Sequence, residues 1–414
     1  MAIATCLTQN IHAMFRPFHL QTRVNNRAES GICIDGILYI QREMEADAIV
    51  HKDDLLSVFV RNRIYNRGQA FPVTSLTFER DSNIDNTVRN VCVSRSVLSI
   101  YGSKDDRTLL SVIVFESEGQ LTTIGDEAFQ FSRLSSIHIP ASVTKLGASC
   151  FGGCRSLEKV TFCEGSLLQN IEKFTFWLCD GLTDIRIPAS VRVLGYGCFN
   201  GCSRLRTVTI ENNSKLVAIQ HRAFSHCAKL EKMAIPSGVT VIGDSTFEFC
   251  SGLEEITFGE DSELCRIGSS VFIWCHSLKK ITIPFRVGMI NESCFEGCYN
   301  LEEITFSAGS QVSFIGHSAF AGCAKLITIT IPAGVKHLPS DCFKGCSSLQ
   351  SVMFEDESQL TSVAESAFQG CTNLSKVVFP IAANPPRGCF RDCHKMHSIA
   401  FKNGEQILVY PIQK

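Results

Sequence analysis

The chain has 414 residues, of which 45% are hydrophobic and 19% are charged, and its formal net charge is -2. This composition supplies enough apolar material for a folded core and too little charge for a disordered chain. A nearly neutral chain presents no basic field to nucleic acid, so a nucleic-acid partner is not expected. Membrane insertion is not expected either, because no apolar run reaches the roughly 18 residues of a membrane-spanning helix.

The chain begins with MAIATCLTQNIHAMFRPFHLQTR. This segment lacks a basic start followed by an unbroken apolar core, so it is a poor secretory signal. A plain N-terminal arm is favoured over a transit peptide. The protein is therefore expected in the cytoplasm, or exported without a recognisable signal peptide, with the cell surface as the alternative location.

Residues 1–108 do not follow the repeat that fills the rest of the chain. Segments such as GICIDGILYI and LLSVFVRNRIY predict short strands separated by turns. Because the first coil of a repeat protein must be covered at its apolar end, we interpret 1–108 as an N-terminal cap region. A degenerate coil is expected to start near residue 70. The alternative is a small separate functional domain.

A phenylalanine returns along the rest of the chain at alternating shorter and longer intervals. The position number rises by 23 from Phe272 to Phe295 and by 25 from Phe295 to Phe320, and this 23/25 alternation holds except for an interval of 22 at each end. In alternate units a proline also returns at a constant interval. Such periodicity indicates a repeat architecture. The twelve phenylalanines are Phe129, Phe151, Phe176, Phe199, Phe224, Phe247, Phe272, Phe295, Phe320, Phe343, Phe368 and Phe390, and the prolines are Pro140, Pro188, Pro236, Pro284, Pro332 and Pro380.

Each unit reads approximately I-G-x-x-(A/C)-F-x-G-C-x-x-L-x-x-I-T-(I/F). Its end alternates apolar and polar residues, as at Leu301, Ile304 and Phe306, which predicts a strand with one buried face. The strand should stop before the proline of alternate units, because proline cannot donate to a ladder. The portion before the phenylalanine predicts a turn that leads into an irregular or single-turn helical piece. One unit is too small to bury its own apolar face, so the units are expected to stack into a parallel sheet.

This pattern closely resembles the BspA-like class of leucine-rich repeats over residues 110–401, although the asparagine that usually follows the strand is absent. The resemblance implies a right-handed solenoid with one parallel β-sheet of short strands, and with turns and short helical or irregular segments opposite. About twelve coils are expected over residues 109–401, followed by a C-terminal cap strand within 402–414. The resemblance also implies a role in adhesion or protein binding, often at microbial or protist cell surfaces.

Sixteen of the 21 cysteines occupy fixed positions of the repeat, where serine, threonine or alanine stands in other units. Because alanine cannot replace a metal ligand but can replace a small buried residue, the cysteines are interpreted as a structural ladder of reduced thiols. Disulfides between coils and metal binding are the alternatives. Eleven cysteines stand three residues after the phenylalanine and five directly precede it: Cys154, Cys179, Cys202, Cys227, Cys250, Cys275, Cys298, Cys323, Cys346, Cys371 and Cys393, then Cys150, Cys198, Cys294, Cys342 and Cys389.

The segment CFRDCHKMH contains four residues of types that bind zinc: Cys389, Cys393, His394 and His397. Both cysteines already occupy repeat positions. His397 precedes a strand residue and should lie outside the core that holds Cys393, whereas tetrahedral zinc needs all four groups to converge. We therefore expect two surface histidines beside a packed cysteine, and we predict no metal site and no cofactor.

No nucleophile-elbow, phosphate-loop or zinc-protease motif occurs in the chain, so no catalytic residue is predicted. The candidate binding surface is the exposed face of the strands, where polar residues point away from the core. Acidic and basic residues alternate from coil to coil beside a row of threonines. A solvated ladder of complementary charge is the alternative interpretation of these residues. The candidate binding residues are Thr257, Thr282, Thr305, Thr330, Glu254, Lys279 and Glu302.

These observations predict a non-catalytic scaffold, expected to be a monomer, that binds another protein or mediates adhesion through its sheet face. One alternative is an enzyme or effector with its active part in residues 1–108 and the solenoid as a targeting module. Another is a thiol-rich redox or metal protein.

Overall fold

The computed structural model describes residues 121–402 in full. It also describes the backbone of several strands between residues 18 and 115 and of one strand at 406–408. Of the side chains before residue 121, only those of Ile113 and Phe115 are described. The prediction of a cap with a degenerate coil from about residue 70 concerns side chains outside the described residues, so it stays a prediction.

The strands are numbered in chain order. Before residue 121 they are β1 (Phe18–Val24), β2 (Arg27–Ile34), β3 (Ile37–Ile40), β4 (Asp47–Val50), β5 (Ser57–Val60), β6 (Ile64–Asn66), β7 (Gln69–Phe71), β8 (Ser75–Phe78), β9 (Asn90–Val93), β10 (Ser99–Tyr101) and β11 (Val112–Phe115).

From residue 121 onward, four-residue strands alternate along the chain with two-residue strands. The four-residue strands are β13 (Ser136–Ile139), β15 (Lys159–Phe162), β17 (Asp184–Ile187), β19 (Thr207–Ile210), β21 (Lys232–Ile235), β23 (Glu255–Phe258), β25 (Lys280–Ile283), β27 (Glu303–Phe306), β29 (Thr328–Ile331), β31 (Ser351–Phe354), β33 (Lys376–Phe379) and β34 (Ser398–Phe401). The two-residue strands are β12 (Thr123–Ile124), β14 (Lys145–Leu146), β16 (Asn170–Ile171), β18 (Val193–Leu194), β20 (Ala218–Ile219), β22 (Val241–Ile242), β24 (Arg266–Ile267), β26 (Met289–Ile290), β28 (Phe314–Ile315), β30 (His337–Leu338) and β32 (Ser362–Val363). A 3₁₀ helix spans Arg387–Phe390, and β35 spans Gln406–Leu408.

The four-residue strands from β13 to β31 form one parallel sheet in sequence order, here called the long-strand sheet. Their side chains alternate between exposed and buried, as in β25, where Ile281 and Ile283 face the core. This strand ends directly before Pro284. The predicted parallel solenoid and its proline stops are therefore confirmed.

A second parallel sheet joins the two-residue strands from β12 to β24 and continues upstream through β10, β8 and β4. The later two-residue strands form two separate pairs, β26 with β28 and β30 with β32. The sequence predicted one sheet, and this row is an addition to it. Each two-residue strand ends at the apolar residue of the I-G segment, as at Ile242 before Gly243, and glycine follows in only some of the units. Two paired residues per coil are too few for a visible alternation of apolar and polar residues. At the other end, β35 pairs antiparallel with β34, within the segment predicted as the C-terminal cap.

The repeat phenylalanines form a continuous stack through the core. From Phe129 to Phe390, rings of consecutive units have centroids 5.2–5.7 Å apart and lie within 17° of parallel. Phe151 through Phe368 are completely buried. Each ring is therefore covered on both sides by the units before and after it. Burial of one such side chain stabilises the fold by about 1.5–3 kcal/mol.

The cysteine ladder lies beside this stack. Each cysteine three residues after a phenylalanine donates its thiol proton to the main-chain oxygen of the phenylalanine one unit earlier, at 3.0–3.2 Å. The same eleven thiols are unpaired by disulfides and buried. In the first unit Ser132 takes the equivalent place and bonds Cys154 at 3.2 Å. The position therefore needs a small side chain with one donor, which explains its occupation by cysteine and serine.

Burial keeps these thiols protonated. Desolvation raises the pKa of Cys154 to about 11, and it raises the pKa of Cys202 and Cys298 well above the ordinary value. Since the thiolate is the reactive form of cysteine, we expect the ladder thiols to react slowly in the folded protein.

Candidate functional site: the exposed face of the long-strand sheet

The long-strand sheet is built from pairs of strands. Where two units are 23 residues apart, all four residues of the two strands pair, as in β25 and β27. Where they are 25 residues apart, only the first residues pair, as Glu255 with Lys280 between β23 and β25. The two additional residues lie in the loop after the first strand of each such junction. The strands consequently separate beyond their first residue.

The predicted threonine row is present, but this pairing interrupts it. Thr282 and Thr305 are register partners, and their hydroxyl oxygens are hydrogen-bonded at 2.9 Å. Thr257 is exposed on the other side of the junction between β23 and β25, and Thr330 is half-buried in β29. The four threonines therefore share one face without forming one continuous chain of hydrogen bonds.

The charges beside the threonines form ion pairs between neighbouring coils. The ammonium group of Lys279 lies 3.0 Å from a carboxylate oxygen of Glu254. The hydrogen bond from Lys279 lowers the pKa of the Glu254 carboxyl. Among the ion pairs of residues 121–402, Glu302 has none, although its main-chain N–H donates to the Lys279 oxygen at 2.8 Å. Glu254, Lys279 and Glu302 are all exposed, so these charges contribute little to stability.

A second row of ion pairs lies one residue further along the strands. Lys232 pairs with Glu255 at 2.7 Å, and Lys280 pairs with Glu303 at 2.6 Å. Hydrogen bonds to these glutamates raise the pKa of both lysines. At the junction between β23 and β25, each of the register partners Glu255 and Lys280 has its ion pair with the coil on its other side. Across this junction the ion pair is instead the one between Glu254 and Lys279, one residue earlier on each strand.

A cleft of about 630 Å³ occupies this junction. Thr257 and Phe258 line one wall together with the acidic loop at 260–261. Thr282 and the Phe285–Arg286 pair line the other wall. A volume of this size holds several side chains of a bound segment. Two of the four predicted threonines, Thr257 and Thr282, thus belong to the same cleft, whereas Thr305 and Thr330 lie outside its lining.

Phe285 and Arg286 were not among the residues predicted from the sequence. Phe285 is 40% exposed, and the Arg286 guanidinium carbon lies 5.7 Å from the centre of its ring. The sequence contains a signal for them, because in most other units the repeat proline is followed by two small residues. The equivalent pairs are Ala141 and Ser142, Ala189 and Ser190, Ser237 and Gly238, Ala333 and Gly334, and Ile381 and Ala382.

The zinc-binding residue types near the C-terminus lie apart from this face. Cys389 and Cys393 are buried, whereas His394 and His397 are exposed. Cys393 donates to the Phe368 oxygen at 3.0 Å, and His397 bonds the Lys395 oxygen through Nδ1 at 3.1 Å. Within the described residues, no three groups suited to a metal ion converge. In the same part of the chain, no helix has the length and apolarity needed to cross a bilayer.

Comparison with known proteins places this architecture in a family. The family model for the BspA type leucine rich repeat region (6 copies) matches residues 122–254, 169–282, 217–350 and 265–397. Among curated proteins, no sequence matches the chain significantly.

Three solved structures of bacterial proteins are similar to this chain, and one of them has a TM-score above 0.5. A leucine-rich repeat protein from Bacteroides ovatus has a TM-score of 0.61 and 25% identity, over 89% of this chain and 94% of its own. A leucine rich cell surface protein from Faecalibacterium prausnitzii has a TM-score of 0.46 and 22% identity, over 92% and 95% of the two chains. The pneumococcal vaccine antigen PcpA has a TM-score of 0.49 and 20% identity, over 87% and 93%. Because the family model covers more than half of its residues, this chain belongs to the BspA-type leucine-rich repeat proteins.

Proposed function

We propose that this protein is a non-catalytic scaffold that binds an extended segment of a partner protein on the exposed face of the long-strand sheet. The observation that carries the proposal is the cleft between β23 and β25. It lies at one of the junctions with the longer repeat interval, at the coil where Phe285 and Arg286 replace the small residues of other units.

The chemistry of the cleft favours a peptide chain as its occupant. Phe285 offers an exposed aromatic surface, and aromatic and arginine side chains are enriched where protein interfaces bind most strongly. Glu260 and Arg286 place opposite charges on the two walls, so a partner with both charges would be oriented across the cleft. The threonines present hydroxyl groups that donate to or accept from a peptide backbone. The stiff stack of coils needs no rearrangement to receive it.

The experiment is capture of partners from cell extract by the full chain, followed by mass spectrometry, with two matched variants. The first combines Phe285→Ala and Arg286→Ser, which installs the residues of the equivalent turn at 189–190. The control is Ile381→Ala, which removes an apolar side chain that is 67% exposed at the equivalent position of another unit. A partner retained by the wild type and the control but lost by the double variant supports the proposal. Equal capture by all three proteins contradicts it.

A further inference from the structure

Cys163 differs from the ladder cysteines in position and environment. It follows β15 directly, outside both cysteine positions of the repeat, and it is half-buried rather than buried. It begins a tight turn that is closed by a hydrogen bond from the Ser166 N–H to the Cys163 oxygen at 3.2 Å. Among the described cysteines, the others are buried except for Cys265, which is exposed.

The side chain of His138 lies beside this thiol. Its Nε2 atom is 2.9 Å from the Cys163 sulfur, and its Nδ1 atom is 2.8 Å from the Thr161 hydroxyl oxygen. The strand register accounts for this arrangement, because His138 and Thr161 are partners in β13 and β15, and Cys163 follows two residues later. Three side chains from adjacent coils are therefore held in one hydrogen-bonded line.

The hydrogen-bond partners of His138 favour one tautomer of the imidazole. The Thr161 hydroxyl donates to the Ile137 oxygen at 3.4 Å, so its oxygen accepts from the Nδ1–H of His138. In that tautomer Nδ1 carries the imidazole proton, and Nε2 is the basic nitrogen, placed to accept the thiol proton of Cys163 at 2.9 Å. The order is a nucleophile, a base and a group that orients the base, which is the arrangement that activates a nucleophilic side chain.

We propose that Cys163 is a site of reversible S-thiolation, which reacts with a low-molecular-weight disulfide while His138 acts as the base. The Cys163 sulfur attacks one sulfur of the disulfide R–S–S–R as His138 Nε2 takes the thiol proton. A new S–S bond forms and the original S–S bond breaks. The leaving RS⁻ receives the proton from the imidazolium, so the products are Cys163–S–S–R and R–SH.

The surroundings select a small disulfide as the reactant. His138 is exposed on the sheet face and Cys163 is half-buried at a surface turn, so a small disulfide can reach the Cys163 sulfur from solvent. A second thiol of the chain cannot resolve the adduct within the described residues. The other accessible cysteine, Cys265, is four coils away, or about 19 Å at the spacing of paired strands, which is far beyond disulfide reach. Since no described thiol is within reach, the proposal assigns reversal of the reaction to an external thiol.

The adduct would lie on the face proposed to bind a partner. His138 occupies the strand position that Thr257, Thr282 and Thr305 occupy in later coils. Thiolation would cover this face in the first two coils and leave the cleft at β23 and β25 open. The proposal stands apart from partner binding, because it concerns only the chemistry of one thiol.

The test treats the reduced full-length protein with oxidised glutathione at pH 7, and peptide mass spectrometry follows the modification of each cysteine. Cys265 is the internal control, since it is more exposed but bonds the Thr240 oxygen, which is not a base, at 3.3 Å. Cys163 is expected to react at least tenfold faster than Cys265. His138→Thr installs the residue that other strands carry at this position, and it should bring the rate of Cys163 to within about threefold of the Cys265 rate.

Two further measurements separate disulfide exchange from general nucleophilicity and from loss of the fold. Iodoacetamide labelling reports general nucleophilicity, and chemical denaturation checks that His138→Thr retains the fold. Added glutathione should remove the adduct from Cys163. A Cys163 rate that is no higher than that of Cys265, or a rate that is unchanged in folded His138→Thr, overturns the proposal. Fast alkylation without disulfide exchange overturns it as well.

Discussion

The thiol of Cys298 donates to the main-chain oxygen of Phe272 at 3.1 Å, and this link between one coil and the coil before it recurs through the described solenoid. The two residues belong to adjacent rows of the same core, and both are completely buried. The ladder thus combines aromatic stacking with one hydrogen bond per coil. This arrangement gives the cysteines a structural role that needs neither metal nor oxidation.

The first prediction concerns the reactivity of the ladder thiols. Titration of the native protein with a thiol reagent should label few groups, and titration in denaturant should label many more, because folding buries the ladder. The intact mass should show no loss of hydrogens from disulfide formation. Equal numbers of labelled groups in both states, or a mass that corresponds to several disulfides, would contradict the reduced ladder.

The second prediction concerns alkaline pH. Burial raises the pKa of ladder thiols such as Cys202 and Cys250 above that of the unfolded chain. The unfolded state therefore loses thiol protons first, at about pH 8.5, while the folded state keeps them. A state that binds more protons is favoured at lower pH, so the free energy of unfolding should fall steadily above about pH 8.5. Urea denaturation under reducing conditions from pH 7 to pH 10 measures this free energy of unfolding. A free energy of unfolding that stays constant over this range would show that the thiols are not buried.

The third prediction separates the core from the surface. Phe272→Ala removes a ring that is stacked between Phe247 and Phe295, so it should lower the free energy of unfolding by about 3–5 kcal/mol. Lys279→Ala removes an exposed ion pair with Glu254 and should produce no resolvable change. Chemical denaturation of both variants is the measurement. Losses of similar size would mean that the inside and outside of the coil have been assigned wrongly.

Phe272 and the threonines of the sheet face show how far the sequence predicts the fold. Phe272 recurs in a fixed register and is apolar in every unit, so its burial follows from the pattern alone. The cleft could not be predicted in this way. It depends on the loss of strand pairing where two units are 25 residues apart, and the residue pattern of the strands does not show that loss. Thr257 and Thr282 look equivalent to Thr282 and Thr305 in the sequence. Only the second pair shares full register and a hydrogen bond.

The fourth prediction concerns the turn after the phenylalanine, where Gly297 has φ +72° and lies under the ring of Trp274. A Cβ at Gly297 would lie 2.5 Å from Trp274 Cε3, so Gly297→Ala should add a clash to the strain of a left-handed backbone. Gly345 has φ +73° and its nearest neighbour would be 3.9 Å away, so Gly345→Ala tests the strain alone, about 1 kcal/mol. Chemical denaturation should rank Gly297→Ala as the more destabilising change. Equal losses would show that the indole does not restrict the turn.

The last prediction tests binding at the sheet face. Arginine at Thr282 would place a long charged side chain in the lining of the cleft, and arginine at Thr305 would place a second one on the neighbouring strand. The wild-type hydroxyls at these two positions are hydrogen-bonded at 2.9 Å. Thr209→Arg is the matched control, because it changes an exposed threonine at the same strand position two coils before β23.

The most direct measurement is the affinity of a captured partner for the wild type, for Thr282→Arg with Thr305→Arg, and for Thr209→Arg, by calorimetric titration of proteins shown to be folded. We expect the double variant to bind at least tenfold more weakly and the control to bind as the wild type does, because the added side chains obstruct only the central face. Unchanged affinity in the double variant, together with loss of binding on changes before residue 108, would contradict the account and assign the function to the N-terminal region.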